Sequence, residues 1–484
     1  MIYPSRPPLI KGRKNDKEES AMAKIFSFLG VAPHAEPIKD QAEINKTYKH
    51  FRIRILYSMI IGYAVYYFVR ANFSVAMPVM LKELGYTKTD LGLILTLFSI
   101  VYGFGKFING VLADRANARY LMAIGLFCAG VVNFFFGMSA SIPALAFFWL
   151  LNAWFQSYGM PASVRLLTHW YSPTELGTKW GLQSTAHQIG SATIMVMSGI
   201  IIGGLHWQIG SHVLDFAGLG WRYAFYIPAF IAMGVSFWLV NRLRDTPQSV
   251  GLPPVEEYRG EAHITDPNED QAKTFKEIFL RYILKNKLVW IVACANIFVY
   301  VVRIGIRDWA PTFLVETRGS TLASAAFKTA GFEIAGMIGA IGAGWISDKV
   351  FKGRRGPMAA VSMFLLMLVV GALWLAPIDN PLLDAVLLIF AGILVYGPQL
   401  LVPVAAADFA TKKAAATATG LTGAFGYIGS ALSGLGTGLI VDKWGWNGGF
   451  IFFITAAAIG TLLFLSFWDY RAPQLEKYHN SKSK

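Results

Sequence analysis

Two arginines stand inside long apolar runs, where a positive charge is costly. Arg70 lies in IIGYAVYYFVRANFSVAM and Arg303 in WIVACANIFVYVVRIGI, 233 positions apart (303 − 70). A guanidinium at membrane depth is tolerated only when it faces water, a partner group or an anion. Two of them at matched places suggest one anion held between them. The guanidinium fork presents parallel N–H donors that suit paired oxygens. Tyr63, Tyr67 and Arg70 follow one another at spacings of four and three, and Tyr300 precedes Arg303 by three. Each set of phenols therefore shares a helical face with its arginine and adds hydroxyl donors. Tyr102 and Lys106 are again one turn apart. Lys106 reaches either a polar site or, with Asp114 only eight residues on, the membrane rim by snorkelling. His187, in QSTAHQIG, is a side chain whose ordinary pKa of about 6.5 lets it change charge near neutrality. Tyr427, in FGYIG, is a weaker candidate from the other end of the chain.

A second pair of landmarks repeats at almost the same offset. Asp114 and Arg115 in GVLADRANAR match Asp348 and Lys349 in GWISDKVFKGRR, 234 positions apart (348 − 114). Carboxylates next to cations at span ends, present twice, read as a gate in which each half latches onto cations of the other. The chain is thus two similar halves, each bringing one intramembrane cation.

The elements that carry these residues are long and apolar. Of 484 residues, 55% are hydrophobic and 15% charged, with 35 Phe and 47 Gly. That composition belongs to a polytopic membrane protein, not a soluble globule. Twelve runs can each span a hydrocarbon core of about 30 Å. They fall at 54–78, 90–112, 120–139, 143–168, 178–204, 222–241, 287–313, 324–347, 357–377, 382–407, 413–440 and 447–469. The fold class is therefore an all-α membrane protein with twelve transmembrane helices in two pseudo-symmetric six-helix bundles, 54–241 and 287–470. A tail of 1–53, a linker of 242–286 and a tail of 471–484 complete the chain.

The net charge of +14 does not indicate nucleic acid, because it sits between spans. Loops after even-numbered spans carry 17 Lys and Arg, and loops after odd-numbered spans carry six. The richer side is expected to be cytoplasmic, with both termini there. The two cysteines, Cys128 and Cys294, lie in different halves at no metal-ligand spacing, and no disulfide is expected. GLGTG at 434–438 follows no strand, so it reads as helix packing rather than a nucleotide loop. No metal or other cofactor is expected, and no acid–base or nucleophile array suggests an enzyme.

These motifs resemble the major facilitator superfamily and, more narrowly, its organophosphate:phosphate antiporters. The matching strings are YYFVRANFSVAMP, YGFGKFINGVLADRANARY, HWYSPTELG, TAHQIG, NIFVYVVRIGIRDWAPTFL, GWISDKVFKGRRGP, YGPQLL and TKKAAATATGLTGAFGYIG, within residues 45–470. DRANARYLMAIGL, FFWLLNAWFQSYG and RLRDTPQSVGLP look most like the hexose-phosphate sensor/transporter branch. The resemblance implies that Arg70 and Arg303 clamp the phosphate, that Lys106 lies in the cavity and that His187 lies beside the phosphate. Asp308 and Glu333 match family acids that pair with a lysine directly after the first arginine. Here that position is Ala71. Two readings of Arg307 follow: it neutralises Asp308 or Glu333, or it joins the clamp as a third cation. Tyr63, Gln183, Tyr396 and Tyr427 are candidates to choose the sugar.

The expected function is a secondary transporter of the bacterial inner membrane. It would exchange a sugar phosphate, such as glucose 6-phosphate, for inorganic phosphate by rocking two bundles about the site. The alternative is a membrane sensor of external hexose phosphate that signals to a partner kinase. Both readings need the same pocket, and the lipid bilayer is the other partner implied.

Overall fold

The computed structural model describes residues 29–209, 212–261, 285–378, 380–410 and 414–470. Residues 1–28 of the expected first tail, 262–284 of the linker, the whole expected tail 471–484, and Lys412 and Lys413 lie outside the described residues. The first bundle contains α1 Gln41–Phe68, α2 Asn72–Leu84, α3 Lys88–Arg115, α4 Ala118–Met138, α5 Ile142–Gln156, α6 Gly159–Trp170, α7 Pro173–Gly203 and α8 Tyr223–Arg242. A short α9, Val255–Arg259, follows it. The second bundle contains α10 Lys287–Arg318, α11 Leu322–Lys349, α12 Arg355–Leu375, α13 Pro381–Phe409, α14 Ala415–Ala431 and α15 Thr437–Leu465.

Among the described residues, ten helical stretches are long and apolar enough to cross a membrane. Two local breaks account for twelve crossings. α5 and α6 have 15 and 12 residues and form one crossing, interrupted at Ser157 and Tyr158. The stretch Thr417–Leu465 turns back at Gly445, whose φ of 66° and ψ of −173° leave the helical region, and so supplies two. The repeat is visible in the caps as well. α2 ends on Gly85 and α10 on Gly319, both left-handed, where glycine meets no Cβ penalty. Thr87 and Thr321, each two residues later, then cap α3 and α11. The offset is again 234 (321 − 87).

α1 begins at Gln41 rather than near 54. Asp40 caps it, accepting from the backbone N–H of Ala42 and Glu43, and its polar first turns stand clear of the apolar run. The linker is not wholly a spacer either. Asp245 accepts from Arg165 at 3.0 Å and from the backbone N–H of Ala118 at 2.9 Å and Ala32 at 3.2 Å. It ties residues from both flanks onto the first bundle. A two-stranded hairpin, β1 Leu205–Ile209 and β2 His212–Phe216, follows α7 in place of the expected plain loop.

The bundles begin and end on one side, here called the basic face, and touch mainly toward the opposite face. Gly92 of α3 meets Gly434 so closely that a Cβ on Gly92 would lie 2.5 Å from the Gly434 carbonyl oxygen. Gly438 meets the Lys88 carbonyl in the same way, so Gly434 and Gly438 of GLGTG are close-packing positions. Thr96 donates to the Ala431 carbonyl at 2.5 Å and accepts from the Leu435 N–H at 2.8 Å. Ser99 and Ser430 hydroxyls bond at 2.8 Å. At the rim, Asp442 accepts from the Thr89 N–H at 2.7 Å, and Lys88 pairs with Glu316 at 3.1 Å. On the basic side of Ser99 and Ser430 the described residues of the two bundles meet through the rings around the cavity, Tyr102 on Tyr427 and His187 on Tyr396, and no ion pair joins them there. The molecule is closed at the opposite face and open at the basic one.

Candidate functional site

The arginine in the first bundle sits where the helix breaks. α1 stops at Phe68 and α2 starts at Asn72, leaving Val69, Arg70 and Ala71 in a turn. A break within an apolar run exposes carbonyls that must find donors. Asn152 of α5 donates to the Val69 carbonyl at 2.7 Å and Gln156 to the Tyr66 carbonyl at 2.7 Å. The Arg70 guanidinium then lies 4.6 Å from the Tyr102 ring centroid, 4.8 Å from that of Phe98 and 5.3 Å from that of Tyr67. Aromatic faces stabilise a cation without neutralising it. Among the described residues Arg70 has no carboxylate partner, and its Nε is buried and unbonded.

Arg303 is held differently. α10 is continuous through it, and the residue is 5% exposed. Its guanidinium lies 4.7 Å from the Tyr396 ring and 5.7 Å from that of Tyr300. Nη2 donates to the Tyr396 hydroxyl at 3.0 Å, and that hydroxyl donates to Glu333 at 2.5 Å. The fully buried Glu333 therefore reaches Arg303 only through a phenol.

Both arginines line one cavity of about 370 Å³ between the bundles, within the range of small-molecule sites. Tyr63, Tyr67, Tyr102, Lys106, His187, Tyr300 and Tyr427 line it too, as does Arg307. Of the two earlier possibilities for Lys106, its side chain takes the cavity: Nζ lies 5.8 Å from the Tyr427 ring, across the bundle boundary. Two aromatic bridges connect the arginines. One runs from Tyr67 to His187 (5.7 Å between centroids) and from His187 to Tyr396 (6.2 Å). The other runs from Tyr102 to Tyr427 (5.2 Å) and from Tyr427 to Tyr300 (6.1 Å). His187 Nε2 is buried without a hydrogen-bond partner.

Arg307 does not divide cleanly between its two earlier readings. Its Nε pairs with the adjacent Asp308 at 2.7 Å, while its side chain also lines the cavity. Glu333 engages Tyr396 instead. Ala71, where the lysine is replaced, is buried in the apolar cluster that also contains Trp309. Asp308 and Glu333 stand behind the cavity wall rather than on it.

The gate residues do not form the expected latch between halves. Asp114 and Arg115 are exposed, and the Asp114 carbonyl accepts from Arg165 of its own bundle at 2.8 Å. Asp348 pairs at 2.5 Å with Arg355, which also pairs with Asp408 at 3.1 Å, all within the second bundle. Lys349 is exposed. Among the described residues neither acid pairs with a cation of the other half in this conformation.

Sequence reasoning underrated Tyr396, which it named only as a sugar contact, and missed Asn152, Gln156, Phe98, Trp180, Asn296 and Gln399. The last three also line the cavity. An amide buried in an apolar run, as in WLLNAWFQ, was the available signal for Asn152 and Gln156.

Residues 59–434 match the family model described as Major Facilitator Superfamily. A protein of Chlamydia pneumoniae named probable hexose phosphate transport protein is 43% identical over 91% of this chain and 96% of its own length. The membrane sensor protein UhpC of Salmonella typhimurium is 41% identical over 93% of this chain and 99% of its own. A glycerol-3-phosphate transporter of Bacillus subtilis is also 41% identical, over 93% and 98%. Among solved structures, a bacterial homologue of the human lysosomal transporter Spinster, inward-facing and unoccupied, superposes with a TM-score of 0.70. It is 18% identical and covers 86% of this chain and 98% of that one, which establishes a shared fold.

Proposed function

The chain belongs to the major facilitator superfamily, and we propose that it is a secondary transporter exchanging a sugar phosphate for inorganic phosphate. Hexose 6-phosphate is the proposed organic substrate, with its phosphate held between Arg70 and Arg303. The observation that carries this reading is the cavity's charge. Among the described residues four cations line it: Arg70, Lys106, Arg303 and Arg307. Two carboxylates stand directly behind, Asp308 on Arg307 and Glu333 on Tyr396. At their ordinary charges the sum is +2, which one doubly ionised phosphate ester cancels.

Exchange follows from that sum. Closing an empty cavity strands two uncompensated cations in a low dielectric, and the desolvation cost exceeds what the remaining contacts return. A loaded cavity is close to neutral and closes more easily. Inorganic phosphate and a phosphate ester satisfy the same arginines, so each can drive the other's return. The sugar is chosen around them, with Tyr63, Gln183, Tyr396 and Tyr427 within the cavity wall. The basic face is cytoplasmic in this proposal, the membrane is the bacterial inner membrane, and the conformation described is open to the inside.

The relative named as a membrane sensor, at 41% identity, supports a second reading in which the same cavity reports an external hexose phosphate to a partner kinase. Proteoliposomes loaded with phosphate separate the two. Uptake of labelled phosphate, inhibited by glucose 6-phosphate more strongly than by glycerol 3-phosphate, is the result expected of the exchanger. Binding of hexose phosphate without any exchange would overturn it in favour of the sensor.

A further inference from the structure

A second cluster of cations lies on the basic side of the cavity, outside the site described above. Lys49 and Arg52 of α1, Lys179 of α7, Tyr171 and Tyr258 line a separate cavity of about 420 Å³. The two helices are the same ones that carry the central site. On α1, residues 49, 52, 56, 63 and 67 follow at spacings of three, four, seven and four, which places them on one face. Tyr63 and Tyr67 are central-site residues on that stripe, and Arg70 of the same site stands in the turn that follows it. On α7, Lys179, Gln183 and His187 follow at spacings of four, and the latter two line the central cavity. At 1.5 Å per residue, Lys179 is about 12 Å from His187 along the helix. The outer cavity thus stands where these two stripes reach the basic face.

Its cations are gathered rather than dispersed. The Arg52 guanidinium and the Lys179 ammonium lie 4.8 Å and 5.5 Å from the centroid of one ring, that of Tyr171. The Tyr171 hydroxyl donates to the Arg52 carbonyl at 2.5 Å, which fixes the ring. Among the described residues one acid contacts these cations: Glu175 pairs with Arg52 and also accepts from the backbone N–H of Ser172. Burial leaves the Arg52 Nε with no partner. Among the described residues Lys49 and Lys179 have no carboxylate partner. Among the described lining residues and their direct partners, three cations face one committed carboxylate, an excess of two, while Glu256, Glu257 and the Arg259–Glu261 pair stand at the pocket's edge. Cations held around one ring repel each other until an anion enters.

We propose that this pocket is a second phosphate-group site, an antechamber that concentrates the anion at the mouth before it passes to Arg70 and Arg303. The proposal rests on the transport reading above. The same chemistry would hold a phosphate from solution or the phosphate of an anionic lipid headgroup. Charged clefts with low-dielectric walls raise local counter-ion concentration by about 10-fold or more, and salt abolishes the gain.

The test uses the full-length protein in proteoliposomes with Lys49→Gln, Lys179→Gln and the double variant. Lys49 is exposed and Lys179 partly so, and Arg52 is left intact with its Glu175 contact. In vesicles of phosphatidylcholine alone, the double variant should raise the KM for inorganic phosphate presented at the basic face about three- to tenfold. The kcat, and the KM at the opposite face, should stay unchanged, and the salt dependence of the KM should flatten. An effect that emerges only when phosphatidylglycerol is added, with loss of co-purifying anionic lipid, assigns the site to a headgroup. Unchanged KM, salt dependence and lipid retention would overturn the proposal. A wild-type protein that performs no exchange would instead refute the transport reading. In that case direct titration with inorganic phosphate tests the pocket: weaker binding in the double variant supports it, and equal binding overturns it.

Discussion

Replacing Tyr396 by phenylalanine removes one oxygen and tests how the second-bundle arginine is held. That hydroxyl accepts from Arg303 at 3.0 Å and donates to Glu333 at 2.5 Å. Glu333 is fully buried and its Oε1 already lacks a partner, so the variant leaves the carboxylate without its hydrogen bond. A hydrogen bond to a charged group is worth about 1.5–3 kcal/mol. The nearest relief is for Arg303 to swing onto Glu333. The guanidinium would then be tied to a carboxylate and withdrawn from phosphate. At about 1.4 kcal/mol per factor of ten, kcat/KM for phosphate exchange should fall roughly 10- to 150-fold. The assay is counterflow of labelled phosphate in proteoliposomes, with thermal stability measured alongside. Glu333→Gln combined with Tyr396→Phe should lose less than the two single losses added, because both act on one arginine. Wild-type exchange in Tyr396→Phe, or strictly additive losses, would refute the relay.

Arg70→Lys and Arg303→Lys should each reduce exchange to near background while leaving folding intact, since lysine keeps the charge and loses the fork. Counterflow and size-exclusion profiles check this. Arg307→Ala lowers the cavity sum from +2 to +1 and should weaken phosphate binding at least about tenfold, the lower end expected for a charged hydrogen bond. Asp308→Asn raises the sum to +3 and should tighten binding while slowing exchange; calorimetry and counterflow together read both. Gly92→Val forces a side chain against the Gly434 carbonyl. The overpacking should cost about 1–3 kcal/mol and open the opposite face. Faster labelling from that face of a cysteine at Ser430, in a background without Cys128 and Cys294, measures it.

The spans were legible because twelve apolar runs separated by charge admit little else, and the repeat was legible because Arg70 and Arg303 are expensive residues. Their aromatic neighbours were legible from helical spacing. The broken helices were not. Val69–Ala71 and Ser157–Tyr158 carry no proline, so nothing in a hydropathy pattern ends a helix there; buried amides from another helix sustain the first break. The hairpin was signalled by Gly210 and Ser211 between two short alternating segments, a pattern the membrane reading passed over. Tyr396 was undervalued because its importance depends on Glu333 and Arg303 meeting it from two other helices. The gate residues stand unlatched in this conformation, and a sequence shows the residues of one conformation and another alike. Asp348 finds Arg355, seven positions on, when the bundles are apart.

The account turns on one phosphate shared by cations of both bundles. A structure solved with bound hexose 6-phosphate tests this most directly. The prediction is phosphate oxygens within hydrogen-bond distance of both Arg70 and Arg303, with Arg303 released from the Tyr396 hydroxyl. A phosphate resting on one arginine alone, or bound in the cavity with neither, would contradict it.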